Sequence, residues 1–230
     1  MIYDVLSEPN KIIVLIIFGV LSATGLGVQA QEYYLDPDHT SVIFAVKNFD
    51  IGYTYGRFNK TEGEIYLDKS IPRHSTFEFK IASGSVDSNN EARDLYLRGP
   101  TMLNAEKFPF IEFVSDDVKY EKRNNKELYI ATGIMKIQDK QKQVSLPIYV
   151  TGQGSGKFGK RRIGFLAKFN IDRKEFGMEE PSNIGDKIAI TFSTEAIQKD
   201  LAPDQSTERG TTTTSEKDES PEKEDKTDQG

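Results

Sequence analysis

The chain has 230 residues, a formal net charge of −6, no cysteine, no tryptophan and only two histidines. The lack of cysteine excludes a disulfide framework, a thiolate zinc site, a cysteine nucleophile and a lipidated N-terminal cysteine. The charge sits at the ends: residues 1–30 carry −1 and residues 199–230 carry −5, so residues 31–198 set 24 acidic against 24 basic groups. A body so balanced has no electrostatic footprint for nucleic acid.

Residues 1–30 read as a signal peptide. Lys11 precedes the apolar run Ile12 to Leu21, and Val28-Gln29-Ala30 places small residues two apart before a cut at Gln31. An uncleaved anchor is the alternative, because the apolar stretch to Val28 is about 17 residues, the lower limit for crossing a bilayer.

The body, residues 31–198, repeats one pattern. Thr76-Phe77-Glu78-Phe79-Lys80-Ile81 alternates polar and apolar side chains, as do stretches beginning at Gln143, Arg162 and Lys187. Side chains alternate faces along a strand, so this is antiparallel sheet with one face away from water. Strands are predicted over 41–47, 52–59, 62–68, 75–82, 110–120, 127–138, 143–150, 161–171 and 187–197, parted by turn residues such as Asn124-Asn125 and Asp139-Lys140. One insertion interrupts them near 88–106. Asp87-Ser88-Asn89-Asn90 reads as a cap, residues 91–98 as two helical turns ended by Gly99-Pro100, and residues 101–106 as a further short turn.

Eight or nine such strands must close into a barrel or stack as a sandwich to remove their edges. An eight-stranded barrel is just wide enough to fill with side chains or to hold one ligand. Parity puts Val42, Phe44 and Val46, then Phe77, Phe79 and Ile81, then Ile111 and Phe113 on the inner face. It adds Val144, Leu146 and Ile148, then Phe165, Ala167 and Phe169, then Ile188, Ile190 and Phe192. The stretch from Tyr129 to Ile137 is apolar on both parities, which leaves its inward face open. Residues 199–230 hold ten acidic and five basic residues and almost no apolar side chain, so they are expected to be a disordered acidic tail.

Motifs for chemistry are few. Gly154-Ser155-Gly156-Lys157-Phe158-Gly159 matches a phosphate-loop spacing, but a strand rather than a helix is predicted after it, and Arg161 stands where Ser or Thr is needed. His39 lies in Asp36-Pro37-Asp38-His39-Thr40-Ser41, read as a turn before the first strand, and no nucleophile elbow or metal-binding histidine pair accompanies it.

These segments together resemble the YceI-like family of periplasmic and secreted proteins. The resemblance runs over about residues 33–198. It rests on Asp36-Pro37-Asp38-His39-Thr40-Ser41 with Phe44, Gly56-Arg57-Phe58 before Glu62-Gly63, and Arg93-Asp94 with Leu97. Glu106-Lys107-Phe108-Pro109 before Phe113, Thr132-Gly133, and Ile171-Asp172-Arg173 with Phe176-Gly177 follow in the same order. The chain departs from the family pattern at Tyr96, near Gln138-Asp139 and near Asn48, where histidines are usual.

The resemblance implies an elongated, lipocalin-like antiparallel β-barrel of about eight strands that holds a long apolar molecule, such as a polyisoprenoid; the scarcity of chemical motifs adds the expectation of no other cofactor or metal and no catalysis. Phe44, Val46, Phe58, Phe77, Phe79, Leu97, Phe108, Phe113, Phe165 and Phe169 are the candidates for lining the lumen. Arg93, Asp94, Asp172 and Arg173 are candidates for its mouth or for structural closure. Each buried CH₂ is worth about 0.8 kcal/mol, so a 40-carbon chain carries roughly 30 kcal/mol of gross drive, reduced by ordering costs. Two alternatives stay open: an isomerase or cyclase using Asp94 or Tyr96, and a filled barrel acting as an interaction module. Pairing into a homodimer and transient membrane contact are likewise open.

Overall fold

The computed structural model describes residues 30–156 and 159–199. The expected signal peptide and acidic tail lie outside these residues, apart from Ala30 and Lys199. Ten strands form one antiparallel sheet: β1 (Gln31–Asn48), β2 (Gly52–Phe58), β3 (Thr61–Leu67), β4 (Thr76–Ala82), β5 (Val86–Asp87), β6 (Phe110–Arg123), β7 (Lys126–Ile137), β8 (Lys140–Ser155), β9 (Arg161–Asp172) and β10 (Ile184–Gln198). Eight of them close the ring β1-β3-β4-β6-β7-β8-β9-β10, with β10 returning to β1. The remaining two, β2 and β5, form a flap: β2 pairs with the C-terminal half of β1, and β5 pairs with β2 at Arg57 and Phe58.

The ring therefore has two unlike ends. At one end lie the start of β1 at Gln31, the end of β10 at Gln198 and the β6–β7 turn, and β1 is flanked by β3 and β10. Toward the other end β1 is flanked by β2 instead, and among the described residues the far edge of β2 has no partner strand along Gly52 to Gly56. The link from β4 to β6 covers that seam. It carries β5, the helix α1 (Glu91–Arg98) and a run of turns to Pro109. Asn90 caps α1 by accepting from Arg93 N at 2.9 Å, and the turns are closed by Leu103 N to Leu97 O at 3.0 Å and Phe108 N to Asn104 O at 2.8 Å.

The inner-face parity holds through the strands. Val42, Phe44, Phe77, Phe79, Ile111, Phe113, Leu146, Ile148, Phe165, Ala167 and Phe192 are buried in one core, and Ile81, Val144, Phe169, Ile188 and Ile190 pack against it. Val46 is buried as well. On β7 the inward set is Tyr129, Ala131, Met135 and Ile137.

Two local readings change. The segment Asp36 to His39 is a bulge within β1 rather than a turn before it, because pairing with β10 breaks after Leu35 and resumes at Thr40. Strand β8 runs on to Ser155, through glycines expected to form a loop. Gly133 has a different task. A Cβ there would lie 2.1 Å from Val114 O, where β6 bulges between Ser115 and Asp117.

Candidate functional site

Beneath the helical cover lies a cavity of about 100 Å³. Its wall comes from all around that end of the barrel: Val42 and Phe44 of β1, Phe58 of β2, Ile81 of β4, Ile111 of β6, Met135 and Ile137 of β7, Phe169 and Ile171 of β9, and Ile188 and Ile190 of β10. The cover adds Val86, Leu97, Met102 and Leu103, and the β9–β10 link adds Met178. None of these side chains is charged or titratable, and the exposed wall is wholly apolar. A pocket of about 40 Å³ shares Val42, Ile81, Ile111, Met135, Phe169 and Ile190 with it and reaches toward Phe79, Phe113 and Phe192 at mid-barrel.

Gly56 makes room for the wall. It stands opposite Phe44 on the neighbouring strand, and a Cβ there would lie 2.2 Å from the Phe44 ring. The tip of the ring thus takes the space a side chain at Gly56 would fill, and the ring packs 5.8 Å from Phe58. The cover is fixed by few polar contacts. The Gln138 amide, at the tip of the β7–β8 turn, donates to Met102 O. Asp94 is buried and accepts from Ser88 N at 2.9 Å and Ser88 Oγ at 2.5 Å. Arg93 donates to Ser88 Oγ and O, both at 2.7 Å. Arg93 and Asp94 therefore clamp the start of α1 to the flap and do not face the cavity.

The other half of the lumen is filled. Phe77 sits among Phe79, Tyr129 and Phe165 at centroid distances of 6.3, 5.8 and 5.9 Å. Tyr120 packs 5.2 Å behind Tyr129, tilted against it. Burial pushes the Tyr129 phenol well above its ordinary value, and the hydroxyl has no hydrogen-bond partner.

The candidates from sequence thus separate. Phe44, Phe58, Leu97 and Phe169 line the cavity, and Phe79 and Phe113 line the smaller pocket behind it. Phe77 and Phe165 belong to the filled half, and Val46 is buried away from both spaces. Phe108 is half-buried, 5.2 Å below the Lys107 ammonium. Met102, Leu103, Met135, Met178 and Val86 were not among the candidates. The first two and Met178 lie in turns without periodicity, and Met135 lies in the stretch apolar on both parities.

Two polar clusters brace the barrel. Arg173 is fully buried, and its guanidinium donates to the carbonyls of Gly185 at 3.2 Å, Pro181 at 3.0 Å, Ile184 at 3.3 Å and Met178, and to the Asp186 carboxylate at 3.3 Å. It holds the link that carries Met178 into the cavity, which is structural closure. On the outer wall the Asp36 carboxylate accepts from Arg162, from His39 at 2.8 Å and from Asp38 N at 3.1 Å. Burial pushes Asp36 upward, but these hydrogen bonds outweigh it and hold the carboxyl below its ordinary value. Asp36, His39 and Glu195 lie close enough to share a cation. The Arg162 guanidinium already stands between the two carboxylates.

A closed antiparallel barrel with an apolar lumen under a short helical cover defines the class. The chain belongs to the YceI-like domain family, whose pattern it matches over residues 33–196. It is 33% identical over 192 residues to the UPF0312 protein YE1254 of Yersinia enterocolitica, covering 82% of this chain and 98% of that one. Among solved structures it resembles the YceI protein of Campylobacter jejuni, with a TM-score of 0.57 and 27% identity over 65% of this chain and 88% of that one. It shares its fold with BcnA of Burkholderia cenocepacia, at a TM-score of 0.62 and 21% identity over 70% and 98% of the two chains. It also shares it with a polyisoprenoid binding domain from Saccharophagus degradans, at 0.56 and 9% over 74% and 100%.

Proposed function

We propose that this protein is an exported, periplasmic or secreted carrier that holds one long apolar chain, a polyisoprenoid or similar lipid, inside the barrel and shields it from water. The observation that carries this reading is the wall of the cavity: seven strands and the cover present only aliphatic, aromatic and thioether groups to it. The fold shared with a polyisoprenoid binding domain supports it. Binding without chemistry is part of the proposal, because no side chain lining the larger cavity can move a proton or attack a substrate, and Glu112 beside the smaller pocket is paired with Lys136 at 3.2 Å.

The space present is smaller than the cargo. At about 100 Å³ it falls below the roughly 150 Å³ that admits a benzene ring in an engineered apolar cavity. A long chain enters only if the wall yields. The wall includes Met102, Met135 and Met178, unbranched side chains that reshape readily, and the cover is a short helix with few ties. Uptake is thus expected to displace cover and methionines while the strands stay in place.

The test is uptake of a long-chain polyprenol by the full chain, followed by repurification, extraction and mass analysis. Met135→Phe combined with Ile190→Phe fills the cavity and should abolish uptake, whereas Ile43→Phe on the outer wall should not. Equal uptake by all three proteins, or none by the wild type, would contradict the proposal.

A further inference from the structure

Among the described residues, the four most exposed large apolar side chains gather at one place. The β1–β2 turn presents Phe49 and Ile51, which are 64% and 91% exposed, and β2 behind it presents Tyr53 and Tyr55, 62% and 64% exposed. The turn is not a loose loop. Ile51 N donates to Asn48 O at 3.0 Å, and Phe49 N donates to Asn183 O at 2.9 Å, which ties the tip to the β9–β10 link. Phe49 and Asp50 both have positive φ, 49° and 56°. Turns with positive φ at both central residues favour Asn and Gly, and a bulky aromatic is an outlier there. The chain thus holds a phenyl ring out in water, on a strained backbone, at a fixed position.

The order of side chains along the hairpin indicates what the tip meets. Phe49 and Ile51 come first. Tyr53 lies about 7 Å behind, Tyr55 about 13 Å and Arg57 about 20 Å, at roughly 3.3 Å per residue. Lys47 pairs across from Tyr53. Apolar groups outermost, tyrosines next and long cations behind them match the depth profile of a bilayer: acyl chains, then the interface, then phosphates. Asp50 is the acid at the tip, and Lys47 Nζ pairs with it at 2.9 Å. The four apolar side chains offer roughly 500 Å² in all, at 150–250 Å² for a fully buried aromatic, short of the roughly 800 Å² per partner in a stable protein dimer.

We propose that the β1–β2 tip docks on a phospholipid bilayer surface and sets the covered end of the barrel against it. The same two strands carry Phe44 and Phe58 in the cavity wall. The helix of the cover likewise exposes Leu95 and Tyr96 while Leu97 lines the cavity. That docking serves lipid exchange rests on the carrier reading; the docking itself does not.

The chain has no tryptophan, so a single one reports its own surroundings. Phe49→Trp and Tyr66→Trp, the latter at the opposite end of the ring, are made in the full chain and mixed with phosphatidylethanolamine–phosphatidylglycerol vesicles with or without brominated acyl chains. The expected result is a blue shift and loss of most emission for Phe49→Trp in brominated vesicles, little change for Tyr66→Trp, and much weaker quenching when Ile51→Ser is added to Phe49→Trp. Quenching of Tyr66→Trp instead, or of neither, would overturn the proposal. So would a shift of Phe49→Trp that follows protein concentration without vesicles, which would mark the tip as a contact with a second copy. Intact polyprenol uptake without tip quenching would remove the docking alone, and tip quenching without any uptake would remove the carrier reading alone.

Discussion

Strand β4 passes through both halves of the lumen and shows how they differ. At Phe77 it faces rings, with Tyr129 and Phe165 at 5.8 and 5.9 Å. Four residues on, at Ile81, it faces a cavity bordered by Met135, Phe169 and Ile190. The pattern of inward apolar residues is the same in both places. What changes is the kind of side chain and what lies over the end. Rigid rings that interlock leave one arrangement. Methionines and aliphatic chains under a lightly tied cover leave several, and a cavity that must admit a guest needs that freedom. The filled half is expected to supply stability, and the covered half to supply binding.

Phe77→Ala should break that comparison most strongly, costing about 3–5 kcal/mol in denaturant unfolding as for other buried aromatics. Met102→Ala in the cover should cost no more than about 2 kcal/mol, the low end for such truncations, and should raise the rate of polyprenol uptake. Equal costs at the two sites would erase the distinction between the halves.

Arg173→Met should cost about 3 kcal/mol, since it leaves several buried carbonyls without a donor. It should also disturb the cavity through Met178, seen as weaker uptake in the variant that still folds. Gln138→Ala should cost only about 1 kcal/mol, the worth of one hydrogen bond. Its main effect should be faster hydrogen exchange in residues 97–105 and faster loading, because the tie to Met102 is gone.

The smallest effect expected is on pH dependence. Hydrogen bonds from Arg162, His39 and Asp38 hold Asp36 below its ordinary value in the folded protein. A carboxyl so lowered stabilises the fold above its unfolded value, about 3.9, and that contribution disappears as pH falls through and below this range. Asp36→Asn should therefore flatten the acid limb of the stability profile and leave neutral-pH loading unchanged.

Much of this was legible in the chain. Alternation at Phe77 to Ile81, Val144 to Ile148 and Ile188 to Phe192 specifies strands and their inner face, because only one parity can be buried. Asn90 and Gly99-Pro100 frame α1 by known capping rules. The division of the lumen was not legible. An inward Phe at 77 and one at 44 look alike in sequence, yet one fills space and the other borders it, and only the closure of the ring decides which. The cover side chains Met102, Leu103 and Met178 sit in turns, where no period marks an inward direction. The bulge at Asp36 to His39 reads as a turn because its polar residues and Pro37 are turn formers, while Arg162 and Glu195, which hold it in the strand, are distant in sequence.

The central claim is that the covered half of the barrel is a lipid site. Native mass spectrometry of the full-length protein purified from its own host, with organic extraction of the same sample, tests it most directly. The account predicts a stoichiometric added mass that extracts as a polyprenyl or other long-chain apolar species and is missing from the Met135→Phe, Ile190→Phe protein. A clean unliganded mass, unchanged after incubation with polyprenol, would contradict it.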